Sequence, residues 1–417
     1  MNFIKEGKWA KMNRVNELIK EYCPDGVEIR CLEDCCNLLD KKRKPITKAA
    51  REAGEYPYYG ANGIQDYVAN YIFDGTFVLV GEDGSVITKS GTPVVTWAEG
   101  KIWVNNHAHI IEEKDGVMLR YLYHYLQTID VTSLIHGNIP KLTGGDFKAL
   151  KIAVPPLEVQ REIVHILDSF ALLTAELTAE LTAELTARKK QYEFYRNKLL
   201  TFGNDTLECR LKDICDIFLG LTATPNYTDA GVKFISAQNT SNDFLDLSNV
   251  KYISETDFER ATSNAKPQRG DLLFTRVGSN LGHPVIVETD EKLCIFVSLG
   301  YLRVRNKKQV VIGYLKHWMN TDLFWSQVRK NVHGAAKVNL NTGWLKEFRI
   351  SLPPLETQER IVHVLDNFEA ICTDLNIGLP AEIEARQKQY EYYRDLLLTF
   401  AETGSTLMTD RQTDRQS

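Results

Sequence analysis

Short apolar runs and long stretches of helical apolar spacing alternate along this chain, and the alternation divides it. Thr76-Phe77-Val78-Leu79-Val80, Pro93-Val94-Val95-Thr96-Trp97, Asp271-Leu272-Leu273-Phe274-Thr275 and Pro284-Val285-Ile286-Val287 are β-rich and are punctuated by Gly, Asn and Asp. They predict strands and turns across residues ~27–155 and ~207–353. One amphipathic helical stretch near the end of each section, Met118–Gln127 and Val311–Val328, makes these sections α/β globules. The other two sections, ~156–200 and ~354–400, read as helix almost throughout, with Ile163, Ile166, Leu167 and Phe170 in one and Ile361, Val364, Leu365 and Phe368 in the other. A helix from ~158 to ~200 is on the order of 65 Å long and needs a partner along its length.

The partner is legible in a repeat. Val154-Pro155-Pro156-Leu157-Glu158 and the following Gln160 to Asp168 return as Leu352-Pro353-Pro354-Leu355-Glu356 and Gln358 to Asp366, and Lys190-Gln191-Tyr192-Glu193-Phe194-Tyr195-Arg196 returns as Lys388-Gln389-Tyr390-Glu391-Tyr392-Tyr393-Arg394. All copies lie 198 positions apart, so half of the chain is a second version of the other half. Each Pro-Pro pair fits a strand exit that cannot continue a ladder, and the Glu after it suits a helix N-terminus. Only the first helix carries a tandem tetrapeptide, Thr-Ala-Glu-Leu at 174–177, 178–181 and 182–185, a run of strong helix formers that lengthens the helix by ~6 Å per unit. In the second, Gly378 and Pro380 are expected to end one segment and open the next.

Composition narrows the class without choosing a function. The 43% hydrophobic and 25% charged residues are those of a globular protein, no run is long enough to span a membrane, and no apolar signal core opens the sequence, so a cytoplasmic location is expected. Eight cysteines without paired CxxC spacing read as reduced, mostly buried thiols, and no metal site is expected. A net charge of −5 means that any nucleic-acid binding must rest on local basic surfaces.

Two variable globules, each followed by a PPLExQ helix that ends in KQYExYR, resemble the specificity subunit of bacterial type I restriction–modification enzymes. The TAEL run is a narrow mark, shared with the spacer of one branch of that family. The resemblance runs from Asn13 to Phe400 and implies mixed α/β target recognition domains, two copies in pseudo-twofold arrangement, joined by long antiparallel coiled-coil-like helices. The domains then fall at 1–155 and 201–353, the helical spacers at 156–200 and 354–402, and a flexible tail at 403–417. The same resemblance implies a non-catalytic chain in a bacterial or archaeal cytoplasm that reads a bipartite, asymmetric site in double-stranded DNA. Its implied partners are two methyltransferase subunits and motor-nuclease subunits. S-adenosylmethionine, ATP and Mg2+ would be used by those partners, and no cofactor by this chain.

The residues agree on the missing chemistry. No (N/D)-P-P-(Y/F) pocket and no G-x-x-x-x-G-K-(S/T) loop is present, and His165 and His363, at equivalent helix positions, read as packing or subunit contacts rather than general bases. Two rivals remain from the residues alone: a tandem DNA-binding or assembly scaffold outside restriction, and a stand-alone methyltransferase or nuclease.

Candidate DNA contacts lie where the two versions differ. Lys41, Lys42, Arg43 and Lys44 form the densest basic run and suit phosphates; Tyr59 and Asn62 lie in a glycine-flanked turn; Asn105 and Asn106 can pair with adenine. In the second globule, Gln238 and Asn239, and Arg276, Ser279 and Asn280, follow expected strands, where a loop would project them. His136-Gly137-Asn138-Ile139-Pro140-Lys141-Leu142 mirrors His333-Gly334-Ala335-Ala336-Lys337-Val338-Asn339-Leu340, which suggests shared backbone contacts through Lys141 and Lys337, with Asn339 beside them. Plain turns and caps give the same patterns. Tyr192, Tyr195, Tyr390 and Tyr393 are candidates for a subunit interface, since three aromatics within four positions cannot all face one seam.

Overall fold

The computed structural model describes residues 14–84, 86–136, 139–203, 206–261, 263–278, 280–331, 339–373 and 378–403. The chain forms two compact units, Met1–Thr178 with Ala385–Ser417 (unit 1) and Ala179–Glu384 (unit 2). Its helices include α1 (Leu119–Leu126), α2 (Leu157–Leu199), α3 (Ile312–Met319), α4 (Leu355–Thr373) and α5 (Leu379–Thr403).

In unit 1 the strands β1 (Glu28–Cys31), β2 (Asn37–Leu38), β3 (Ala53–Gly60), β4 (Gly63–Val68), β5 (Phe73–Gly81), β6 (Val95–Val104), β7 (Ala108–Glu112), β8 (Ile135–His136), β9 (Lys141–Leu142) and β10 (Lys151–Val154) follow in chain order. Six of them make one sheet in the order β2-β7-β5-β6-β3-β4. Side chains alternate across a strand, and β5 uses both faces. Val78 and Val80 pack with Ile111 and with Tyr121, Leu122 and Tyr125 of α1, whereas Phe77 and Leu79 pack with Ile102 and Ile110 on the other side. Leu397 and Leu398 of α5 are buried in the α1 side of this core, with Tyr390 and Tyr393 packed against it.

Unit 2 carries β11 (Leu207–Arg210), β12 (Cys215–Leu219), β13 (Val232–Ile235), β14 (Lys251–Ile253), β15 (Leu272–Thr275), β16 (Pro284–Ile286), β17 (Leu293–Ile295), β18 (Leu299–Val304) and β19 (Arg349–Leu352). They form a four-stranded sheet, β12-β18-β15-β16, and a three-stranded one, β14-β13-β17. The central strand again serves two faces: Leu272 and Phe274 meet Tyr314, Leu315 and Trp318 of α3, and Leu273 packs with Ile235 and Val285. Tyr192 and Leu200, from the far end of α2, are buried in the α3 side. The expected single stretch at 311–328 is two helices, because Thr321 caps a second one by accepting from Phe324 N.

Both units join globule to helix in one way. β1 pairs antiparallel with β10 and β11 with β19, and Pro155-Pro156 and Pro353-Pro354 end these ladders just before α2 and α4 begin. The glutamine three residues into each helix supplies the lock. Gln160, fully buried, accepts from Met118 N at 2.9 Å and donates to Gly116 O at 3.1 Å and Pro155 O at 2.7 Å. Gln358 repeats the pattern with Val311 N at 3.0 Å and with Gln309 O and Pro353 O, both at 2.9 Å. A buried amide with donors and acceptor all satisfied fixes the helix on the globule, where an unmatched one would destabilise it.

α2 is unbroken for 43 residues, whereas α4 stops at Thr373 and α5 starts at Leu379. The eight cysteines form no disulfide, and burial pushes the Cys36 and Cys215 thiols up to about 12. Among the described residues, no helix is long and apolar enough to cross a membrane.

Candidate nucleic-acid interface

In unit 1 the turn Asn105–His107 ties two loop regions together. Asn105 N donates to Tyr59 O, and its buried side chain accepts from His107 N at 2.8 Å while donating to Gln65 Oε1 at 3.3 Å. On the other side Glu82 N donates to His107 O, Leu142 N donates to Glu82 O, and the His107 ring pairs with Asp83. Lys44 joins this surface, its carbonyl accepting from Trp103 Nε1 at 2.6 Å. Side chains left facing outward are Lys41, Lys42, Lys44, Asn62, Asn106 and, nearly half exposed, Lys141.

Other candidates in unit 1 serve the interior. Arg43 donates to Glu82 Oε2 and Ala108 O, both at 2.6 Å, and to Asp40 O, so its guanidinium holds the fold together. Tyr59 is buried, as is Asn105. Around Arg43, Asp40, Glu82 and His109 come close enough to suggest a metal site. Their groups are already engaged: His109 has Asp40 Oδ2 at 2.7 Å and Leu142 O at 3.1 Å on its two nitrogens, and Lys141 lies 3.3 Å from Glu82. Burial raises the Asp40 carboxyl, but the His109 hydrogen bond and charge, Ile110 N and Arg43 outweigh it and leave it below the usual range.

Unit 2 gathers two loops. Asn280 Nδ2 donates to Ser241 O at 3.2 Å, a His283 ring nitrogen lies 2.9 Å from Asn242 O, and Thr240 and Thr275 hydroxyls are 3.3 Å apart. Gly278, at φ +125°, takes a conformation that L side chains avoid and turns the chain after Arg276. Gln238, Asn242, Phe244, Asn280 and Asn339 are exposed on this surface. Asn239 is not, since its amide accepts from Ser236 N and donates to Asp246 O and Asn249 O, shaping the loop from within. Asn242 and Phe244 had no sequence signal beyond a polar loop. Ser279 and Lys337 lie outside the described residues. The pairing of Lys141 with Lys337 does not match the ladder, in which Lys141 bridges Asp83 while Asn339 bridges Val277. Asn339 is the counterpart of Lys141.

Each unit also buries a histidine between its own globule helix and a tyrosine of the repeated KQYE segment. His124 Nε2 lies 2.8 Å from Asp168 Oδ1 and its Nδ1 3.5 Å from the Tyr390 hydroxyl; His317 has Asp366 at 2.8 Å and Tyr192 at 3.1 Å. A carboxylate only accepts, so Nε2 carries the proton and Nδ1 receives the tyrosine O–H. Burial pulls the His124 pKa below its ordinary value, and Asp168 and its hydrogen bond offset only part of that. Tyr393 packs on Phe170 and Tyr195 on Phe368, so all four candidate interface tyrosines bond or pack inside their units. Facing outward at equivalent positions are Phe194, 59% exposed, and Tyr392, 56% exposed. His165 and His363 are exposed as well, which excludes a packing role.

The geometry is thus two unlike loop surfaces on two alike helical mounts. The family model for the type I restriction modification DNA specificity domain matches residues 24–187 and again 204–385, and the chain belongs to that family. A putative type I restriction enzyme specificity subunit of Haemophilus influenzae is 37% identical over 388 residues, spanning 90% of this chain and 96% of the relative. The EcoR124I/EcoR124II specificity subunit of Escherichia coli is 30% identical over 303 residues, 69% of this chain and 72% of its own length. A chain solved in work on complex assembly and conformational transition of the type I R-M system has a TM-score of 0.59 at 16% identity, covering 90% of this chain and 97% of that one, a likeness of fold.

Proposed function

We propose that this chain is the non-catalytic reader of a type I restriction–modification complex, each unit recognising one half of a bipartite, asymmetric DNA site. The observation that carries the reading is the contrast between mounts and surfaces. Gln160 and Gln358 lock their helices with the same three bonds, while the loops around Asn106 and Asn280 share no sequence. Exposed amides at Asn62, Asn106, Gln238, Asn280 and Asn339 suit base edges, and Lys41, Lys42, Lys44 and Lys141 suit phosphates. The helices set the gap between half-sites and dock two methyltransferase subunits, for which Phe194 and Tyr392 are the outward anchors. Motor-nuclease subunits complete the assembly, and S-adenosylmethionine, ATP and Mg2+ belong to the partners.

The test is to express the chain with its methyltransferase subunit and map methylated adenines. A two-part motif is expected, and the same mapping on a chain lacking Thr178–Leu181 should return both parts with a shorter gap. Methylation by the purified chain alone, or half-sites that change in the deletion, would overturn the reading.

A further inference from the structure

Beneath the unlike loops lies one backbone node, present in both units. In unit 1 Glu82 follows the central strand β5; its N–H donates to the carbonyl of His107, the residue before β7, and its carbonyl accepts from Leu142 N. In unit 2 Arg276 follows β15; its N–H donates to the carbonyl of Ser298, the residue before β18, and its carbonyl accepts from Leu340 N. Directly beyond, Asp83 bridges Lys141 and Val277 bridges Asn339, and the next residues, Thr143 and Asn341, are both helix N-caps. Glu82 and Arg276 therefore occupy the same place in the two units, pinned on both sides by backbone bonds.

Their side chains are treated in opposite ways. Glu82 is enclosed and meets Arg43 at 2.6 Å and Lys141 at 3.3 Å, with His109 at 3.7 Å. Arg276 is half-buried, its Nε is shielded from water with no hydrogen-bond partner, and its side chain makes no ion pair among the described residues. Among the described residues no hydrogen bond or ion pair occupies the guanidinium, so its exposed part can meet a ligand without first leaving a partner. Its outward neighbours Asn280 and Asn339 are amides, and the exposed carboxylate on that surface, Asp243, lies 3.6 Å from the His283 ring. An arginine fork supported in that fashion matches the two acceptors on the major-groove edge of guanine.

We propose that this node is where the half-site preferences of the two units diverge, with Arg276 reading a guanine in the half-site of unit 2 and Glu82, turned inward, reading no base. The assignment rests on the DNA-reading function above and adds the residue, the base and the half-site. In the assembled methyltransferase complex, methylation of a DNA library is compared for the native chain, Arg276→Lys and Arg276→Gln. Arg276→Lys keeps the charge and loses the fork; it should cut the preference for guanine at one position of one half-site by about ten- to hundredfold. Arg276→Gln should move the preference at that position toward adenine, and in both variants the other half-site should be unaltered. A native complex without a two-part motif would sink the DNA-reading function itself. A native two-part motif that both variants reproduce unchanged, or a uniform loss over all sequences as a phosphate contact gives, would sink the Arg276 assignment alone.

Discussion

The α1 side of unit 1 and the α3 side of unit 2 share the bonds that hold helix to globule, yet the loop surfaces a strand's length away share no such set. Gln160 answers Gln358, His124 answers His317, and Tyr390 answers Tyr192, each with the same bonding partners. Across the sheet, the enclosed Glu82 stands where the unmatched Arg276 stands. At this node the difference lies in the side chain and not in the backbone: a shared frame delivers opposite charges to one place.

The strongest way to break the parallel is at the glutamines. Gln160→Ala strands Met118 N and the Gly116 and Pro155 carbonyls in the interior and should cost about 3 kcal/mol, and Gln358→Ala should cost unit 2 the same within error. Urea melts followed by hydrogen exchange in each unit will read this; a penalty in one unit only would mean that the two mounts are not equivalent.

A smaller effect is expected from acid. Because burial lowers the folded pKa of His124, the unfolded chain takes up a proton below about pH 6.5 that folded unit 1 resists. The stability drawn from neutral His124 is complete above that pH and is lost as the pH falls beneath it, by the sign of the linkage. Denaturation midpoints of unit 1 measured from pH 7.5 to 5 should show the decline, and His124→Gln should flatten it. A native midpoint that stays level over this range would contradict the depressed value.

The smallest expected effects compare the two tyrosines. Tyr192→Phe removes a buried 3.1 Å bond and should destabilise unit 2 by about 1 kcal/mol, whereas Tyr390→Phe removes only a 3.5 Å contact and should cost unit 1 about half of that. The reverse order in thermal melts would show that the shorter contact is not the stronger bond.

Much of the scaffold was legible in the residues. The Pro-Pro exits, the unbroken α2 and the break before Leu379 follow from local propensity, which acts within a few residues. The site was less so. Whether an asparagine faces outward, as Asn106 does, or caps a loop from inside, as Asn239 does, depends on partners up to ten residues away that a pattern does not name. Arg43 looked like one of four equal cations until Glu82, 39 positions on, claimed it. The match of Lys141 to Asn339 keeps the 198-residue offset of the repeat, but the second His-Gly segment is one residue longer, so an alignment anchored on His-Gly misses it. The motif glutamines were visible, but their role was not, since all three acceptors and donors lie on backbone.

One feature of the division into units bears on biosynthesis. Unit 2 is a single continuous stretch, whereas the core of unit 1 around Leu122 and Phe147 is closed by Leu397 and Leu398. Domains fold as they leave the ribosome, in the order their parts emerge. The globule translated first is therefore the one completed last, and a ribosome stalled anywhere between residues 385 and 397 releases a chain whose later half is finished and whose earlier half is still open.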